Sequence, residues 1–324
     1  MSNKVLKPKK ASLYQFTQNY SNNIDNCIEF FKSMKWPEGF SCDRCGCHKY
    51  YLVKRVGKTK TSYVLECSSC HKQHSLLSGT IFQSCKLDLY KLLLGIFLFF
   101  NENKGISAIE LCSILDVNYK TALLLESKCR ILMSLSNSDQ LLNSLFYEAD
   151  VFNIGAKSKN KAGRASEQQP VLGILSTDKE NSYTRFIKLR LINDYTGLSL
   201  KKNIEKCCVL SHDALLNTDG EKGFNTLNGE IQVKNEKISY EEKDHRLLWL
   251  NIIIGNIKNN ITGIYHGITK REMPLFLNEQ EYRFNHRKMG KTVMDKVKKY
   301  LQKSFPISHR QIVYILNISA PHFS

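Results

Sequence analysis

Two cysteine pairs of identical spacing constrain the front of this 324-residue chain more than any other feature: Cys42-x2-Cys45 and, after 21 intervening residues, Cys67-x2-Cys70. Each C-x2-C offers two thiolates from one tight turn, and four soft thiolates at ~2.3 Å from one ion are what a tetrahedral structural zinc site requires. The pairs therefore predict one zinc held by Cys42, Cys45, Cys67 and Cys70, with a strand over 62–66 leading into the second pair. Cys47, His48, His71 and His74 lie close enough in sequence to substitute, but none completes a symmetrical pair. A zinc ion here would replace a hydrophobic core that some forty residues cannot build alone.

Charge narrows the partners. The chain carries 47 Lys and Arg against 30 Asp and Glu, a formal net charge of +17, and residues 1–82 alone hold 13 basic against 5 acidic side chains. Such an excess selects a polyanion, nucleic acid or an anionic membrane surface. The most apolar stretch, 89–100, is only a dozen residues, short of the ~20 a membrane-spanning helix needs, so it reads as a buried helix and no membrane partner is expected. The 11 cysteines are odd in number and unevenly spread, and the basic N-terminus lacks an apolar export stretch. A reducing, cytoplasmic compartment is the expectation.

Residues 86–136 read as helical throughout. The run 87–100 is apolar nearly all round, Ser107-Ala-Ile-Glu110 is a capping box, Asp116-Val117-Asn118 makes a turn, and helical spacing resumes over 119–133. This is the pattern of a helix-turn-helix, with Asn118, Tyr119, Lys120 and Thr121 opening the helix whose first residues reach base edges in the major groove. An ordinary helical hairpin without DNA contact has the same spacing.

From residue 145 the character changes again. Strands are expected over 146–154, 170–176, 183–192 and 214–218, with helices over 198–206 and 247–261, giving a mixed α/β domain. No glycine-rich phosphate loop is present, which excludes nucleotide-driven chemistry of that kind. Asp150 interrupts an apolar strand, and Asp219 leaves another just before Gly220. On the later helix Asn251 and Lys258 are two turns apart and share a face across Gly255. Two carboxylates and a carboxamide oxygen are hard ligands suited to Mg²⁺ or Mn²⁺, two of which can serve an in-line phosphoryl displacement, while Lys258 would hold a phosphate. Asparagine is a weaker ligand than glutamate and no general base. A turn aspartate and a solvated helix stripe are the functionless alternatives for the same residues.

Further stretches carry a family resemblance: Trp36-Pro-Glu-Gly-Phe40, Ser78-Gly-Thr-Ile-Phe82, Lys104-Gly-Ile-Ser107, Tyr119-Lys-Thr121, Thr218-Asp-Gly220, Gly255-Asn-Ile-Lys258, Gly263-Ile-Tyr-His-Gly267 and Tyr282-Arg-Phe-Asn285. In these the chain resembles the zinc-ribbon, Merlin-related bacterial insertion-sequence transposases over nearly its whole length. The resemblance implies a multidomain α/β protein: an N-terminal zinc ribbon, a helix-turn-helix region and a DDE-type catalytic domain of ribonuclease-H-like mixed-sheet fold. It implies that Asp150 and Asp219 are the first two acidic positions, Asn251 the third, which the family fills with Asn or His as well, and Lys258 the lysine seven residues on. Asn256 also matches a family motif but lies roughly 140° around the helix from Asn251. Two positions depart from the pattern, Val151 for an acidic residue and Gly155-Ala156-Lys157 for Gly-Gly-Lys.

The resulting expectation has four parts: basic arm and zinc ribbon over 1–84, helix-turn-helix region over 85–140, catalytic domain over 141–290 and basic segment over 291–324. Between Arg283 and Lys303, 8 Lys and Arg stand against Asp295, enough to grip backbone phosphates if the helix is not simply solvated. By the resemblance, the enzyme binds the ends of its element in double-stranded DNA as a homo-oligomer associated with the nucleoid. It cleaves with Mg²⁺ or Mn²⁺ and joins the freed 3′ hydroxyl to target DNA. The rival readings are a decayed transposase that only binds DNA, and a metal-dependent nuclease that cuts without joining.

Overall fold

The structure is a computed structural model that describes residues 12–57, 60–137, 141–155, 168–178, 184–235, 247–287 and 293–319. Most of the basic N-terminal arm, Ala156, Lys157, Tyr183, Lys288 and Lys291 lie outside the described residues. The chain divides into two compact units, 1–135 with 288–312, and 136–287 with 313–324. Among the described residues no helix is long and apolar enough to cross a membrane.

The first unit opens with helices α1 (Leu13–Tyr20) and α2 (Ile24–Lys35), started by Ser12 and Asn23, whose side chains accept the backbone N–H groups of Gln15 and Asn26. Strands β1 (Tyr50–Val56), β2 (Thr61–Cys67) and β3 (Gln73–Ser75) form an antiparallel sheet in that order. Helix α3 (Leu89–Asn101) is apolar on most of its circumference because it is enclosed, with Leu92, Leu93 and Ile96 fully buried. Helices α4 (Ala108–Leu115) and α5 (Tyr119–Asn137) follow, divided by Asp116 in the left-handed conformation (φ 49°). Gly95 makes the packing of α3 possible: a Cβ there would lie 2.5 Å from the Leu125 side chain of α5. Helix α9 (Val293–Lys303), late in the chain, returns to this unit. It buries Val293, Val297 and Leu301, and its Gln302 and Lys298 bond Met34 and Ser33 of α2. The basic stretch is thus an amphipathic helix with one face inward, followed by α10 (His309–Ser319).

In the second unit, β4 (Phe146–Ile154), β5 (Gln169–Thr177) and β6 (Thr184–Leu191) form an antiparallel meander, and β7 (Leu215–Thr218) and β8 (Gln232–Asn235) run parallel to β4. The order β6-β5-β4-β7-β8 is that of a ribonuclease-H-like sheet. Both faces are covered. Tyr147, Ala149, Leu172, Ile174 and Leu216 form one core with α6 (Gly197–Glu205), while Phe152, Ile154, Val171 and Leu175 pack on the opposite face with helices α7 (Leu248–Gly263) and α8 (Met273–Asn285). Double coverage explains why every described residue of β5 is buried. The fold is a multidomain α/β architecture with an N-terminal ribbon.

Candidate active site

The two cysteine knuckles are built alike. In the first, Gly46 donates to Cys42 O (2.8 Å) and Cys42 to Cys47 O (3.0 Å); in the second, His71 donates to Cys67 O (3.0 Å) and Cys67 to Lys72 O (3.0 Å). The residue after the second cysteine turns left-handed in both, Gly46 at φ 70° and His71 at φ 54°. This brings the four Sγ atoms of Cys42, Cys45, Cys67 and Cys70 within 4.8 Å of one another. Cys42 and Cys70 stand 3.5 Å apart, as do Cys45 and Cys67, which fits the corners of a tetrahedron with ~2.3 Å metal–sulfur bonds. Burial raises the Cys42 thiol, but the N–H groups of Arg44 and Cys45 and the neighbouring His74 and Cys70 side chains bring it down to about 6, toward the thiolate a metal needs. Of the substitutes, His48 faces Phe40 O, His71 faces Glu66 and Cys47 faces Ser68; His74 alone shares ligand range with Cys42, together with Asp43. The donor set fits a structural zinc.

At the start of α5, Asn118 is a cap: its Oδ1 accepts from the Thr121 N–H (2.8 Å) and hydroxyl (3.0 Å). Tyr119 and Lys120 project outward, Tyr119 half exposed.

The last register pair between the parallel strands β4 and β7 is Ala149 opposite Thr218. Asp150 and Asp219 are the next residues after this pair, and Gly220 (φ 70°) then turns the second segment away. Alternation puts Asp150 on the face that also carries Phe152, the face covered by α7. The site falls at the carboxyl end of β7, where strand order reverses on either side of β4, the place where open α/β sheets present a crevice. Opposite Asp150 on β5 is Gly173; a Cβ there would stand 3.2 Å from the Phe152 ring and 3.3 Å from Leu250, so glycine admits both next to the carboxylate. Val151 points to the other face, into the core with α6. An acidic residue at that position would not share the face of Asp150.

Helix α7 buries Leu250, Ile253, Ile254, Ile257 and Ile261 against this face. Asn251 and Lys258 are exposed along one flank of that stripe, and the Lys258 ammonium lies 5.8 Å from the centre of the Phe152 ring. A Cβ on Gly255, between them, would meet nothing within 4 Å, so the flank is open. Asn256 lies on the opposite flank, about 40° from Asn260, which bonds Gln280 of α8. The lysine beside Phe152 and Asn251 thus share a side that Asn256 does not.

Two polar groups escaped the sequence reading. Glu148, two residues before Asp150 and 2% exposed, accepts the Leu250 N–H through Oε2 (3.0 Å), and burial pushes its carboxyl up to about 7 despite that bond. Its register partner on β7 is Asn217, also buried. Among the described residues, Glu148 Oε1 and Asn217 Oδ1 have no hydrogen-bond partner. Such orphaned oxygens cost on the order of 1–3 kcal/mol each. The available signal was a second carboxylate at strand spacing from Asp150. One basic residue is corrected: Arg283 points inward on α8, its Nε 2.8 Å from the buried Glu279, and is not available to grip a phosphate.

A ribbon with a four-cysteine cluster, helices, and a ribonuclease-H-like sheet bearing two adjacent aspartates define the multidomain class of zinc-ribbon transposases. Family models agree in both places: residues 23–73 match the transposase zinc-ribbon domain, and residues 145–285 match the ISXO2-like transposase domain. The chain belongs to a zinc-ribbon insertion-sequence transposase family. No curated protein matches it. Among solved structures, a chain of the "Crystal structure of a pre-cleavage Mos1 transpososome" aligns over 71% of this chain and 79% of its own, at 9% identity and a TM-score of 0.26.

Proposed function

We propose that the protein is a transposase that binds its element's ends, cleaves DNA and joins the 3′ hydroxyl to a target. The observation that carries this reading is the position of Asp150 and Asp219, each following a member of the last β4–β7 register pair, beside a helix whose Lys258 lies over Phe152. Asp150 and Asp219 are suited to hold Mg²⁺ or Mn²⁺, with the Asn251 carboxamide as a third oxygen. Bound there, such ions supply a water-derived nucleophile and stabilise the leaving oxygen. Lys258, on the open flank of α7, holds a phosphate of the DNA backbone and orients it toward the carboxylates.

Two displacements follow at phosphorus. Water attacks a phosphodiester at the element's end and expels the 3′ oxygen; that 3′ hydroxyl then attacks a target phosphodiester, forming one P–O bond as another breaks. Bonds are exchanged one for one, in keeping with the absence of a nucleotide-binding loop from the sequence. Zinc ribbon and helix-turn-helix, with Tyr119, Lys120 and Thr121 at the head of α5, provide end recognition, and paired ends imply a homo-oligomer.

The test is incubation of the protein with labelled DNA carrying the ends that flank its gene, with Mn²⁺ or with chelator. The reading expects a nick at the element's end, with a free 3′ hydroxyl, only with metal. Specific end binding without any nick would favour the decayed alternative.

A further inference from the structure

Helix α7 carries two of the four site residues, yet its N-cap residue makes no side-chain cap bond among the described residues. Helices α1 to α4 and α6 each open on a Ser, Thr, Asn or Asp side chain that accepts a first-turn N–H, and Asn118 does the same for α5. At α7 the N-cap is Leu247, whose side chain has no acceptor. The missing acceptor comes from the sheet. Glu148 Oε2 takes the N–H of Leu250, the third residue of the helix and the donor that an N-cap side chain ordinarily satisfies. Leu250 is fully buried and adjoins Asn251, while Glu148 stands one pleat before Asp150 on the same face of β4.

We infer that Glu148 is a positioning residue: from strand β4 it caps helix α7, and so fixes Asn251 and Lys258 relative to Asp150 and Asp219. The inference rests on the two-aspartate reading of the site. An apolar residue at 148 would fill the same buried space without the orphaned Oε1, so stability alone does not account for a carboxyl here. One bond thereby couples the strand that carries the first aspartate to the helix that carries the lysine. Phe152 and Lys258 make the second contact between them, two turns further along the helix.

The test compares wild type with Glu148→Gln, which keeps an acceptor for Leu250, and Glu148→Leu, which does not; Asp150→Asn serves as the dead reference. Two readouts are taken: amide hydrogen exchange over residues 247–258, and metal-dependent nicking alongside affinity for end DNA. In Glu148→Leu, exchange in the first turn of α7 should rise about tenfold and the nicking rate fall at least about tenfold, with DNA affinity unchanged. In Glu148→Gln both should stay within about threefold of wild type. Exchange unchanged in Glu148→Leu would overturn the cap. A Glu148→Gln protein as inactive as Asp150→Asn would overturn positioning in favour of a direct ligand. Absence of nicking by wild type would defeat the catalytic reading separately, and exchange would still decide whether Glu148 holds the helix.

Discussion

Ala149 on β4 lies opposite Thr218 on the parallel strand β7, and each is followed by an aspartate. This single register relationship places two aspartates, 69 residues apart in sequence, each directly after a paired residue of adjacent parallel strands, at the point where the sheet's strand order reverses. On the reading proposed above, the pair serves to hold divalent cations, whose charge offsets that of neighbouring carboxylates.

Asp150→Ala and Asp219→Ala should each reduce metal-dependent DNA cleavage by at least about a thousandfold, the scale on which loss of a group stabilising the transition state acts. Thermal unfolding without metal should stay within a few degrees of wild type, because neither residue belongs to the cores on the two faces of the sheet. A variant that cleaves normally would remove that aspartate from the site.

Zinc content separates the knuckle cysteines from their neighbour. Wild type should hold about one zinc per chain, Cys42→Ser and Cys67→Ser should lose it, and Cys47→Ser should retain it. Metal loss should unfold the three-stranded ribbon, since a structural zinc supplies on the order of 10 kcal/mol to a domain this small. The check is metal analysis with circular dichroism before and after chelation; zinc lost from Cys47→Ser would rewrite the ligand set.

Gly173 faces Asp150 across the β4–β5 ladder with the Phe152 ring and Leu250 closing on it. Gly173→Val should overpack this spot, destabilise by about 1–3 kcal/mol and displace α7 from the strand. Denaturant melts measure the first effect, and the nicking rate reads the second.

Glu281 is fully buried between Lys188 (3.1 Å) and Arg190 (2.9 Å) of β6, and also accepts the Leu189 N–H. Glu281→Leu leaves two cations without their shared partner and should cost about 3–5 kcal/mol, measured by urea unfolding. A loss below about 1 kcal/mol would mean that the cations find water instead.

Tyr147 gives a pH-dependent prediction. Burial pushes its phenol up to about 12, its hydroxyl lying against the carbonyls of Leu142 and Val209. The folded state keeps this proton above the pH at which the unfolded chain releases it. The contribution is therefore complete below about pH 10 and lost as pH rises toward 12. Tyr147→Phe should lose about 1 kcal/mol at neutral pH, and the gap to wild type should close over that alkaline window.

Much of this arrangement was legible because its signals are local. The strand over 146–154 alternates apolar residues around Asp150 and appears with those bounds, and the helix turning at Asp116 and Asn118 follows from its capping residues. The paired spacing of Cys42, Cys45, Cys67 and Cys70 specified a cluster that the two matching knuckles assemble. Strand β8 was not legible: Gln232 to Asn235 is polar and half-exposed, and it joins the sheet through backbone bonds to β7 rather than through its own burial. Helix α8 was missed because its buried positions include Glu279, Gln280 and Glu281, which read as a solvated stretch until Arg283, Lys188 and Arg190 are placed against them. Glu148 was hidden for the same reason. Its partner is a backbone amide 102 residues away, and no spacing rule reports a tertiary cap.

The most direct measurement is strand transfer. A DNA carrying a pre-nicked element end, labelled at the strand bearing the 3′ hydroxyl, is incubated with target DNA, Mg²⁺ or Mn²⁺, and wild type, Asp150→Ala or Asp219→Ala protein. A covalent joint between the labelled 3′ end and the target is expected for wild type alone, absent without metal. Cleavage with no joining would make the protein a nuclease, and joining that survives loss of either aspartate would contradict the site proposed here.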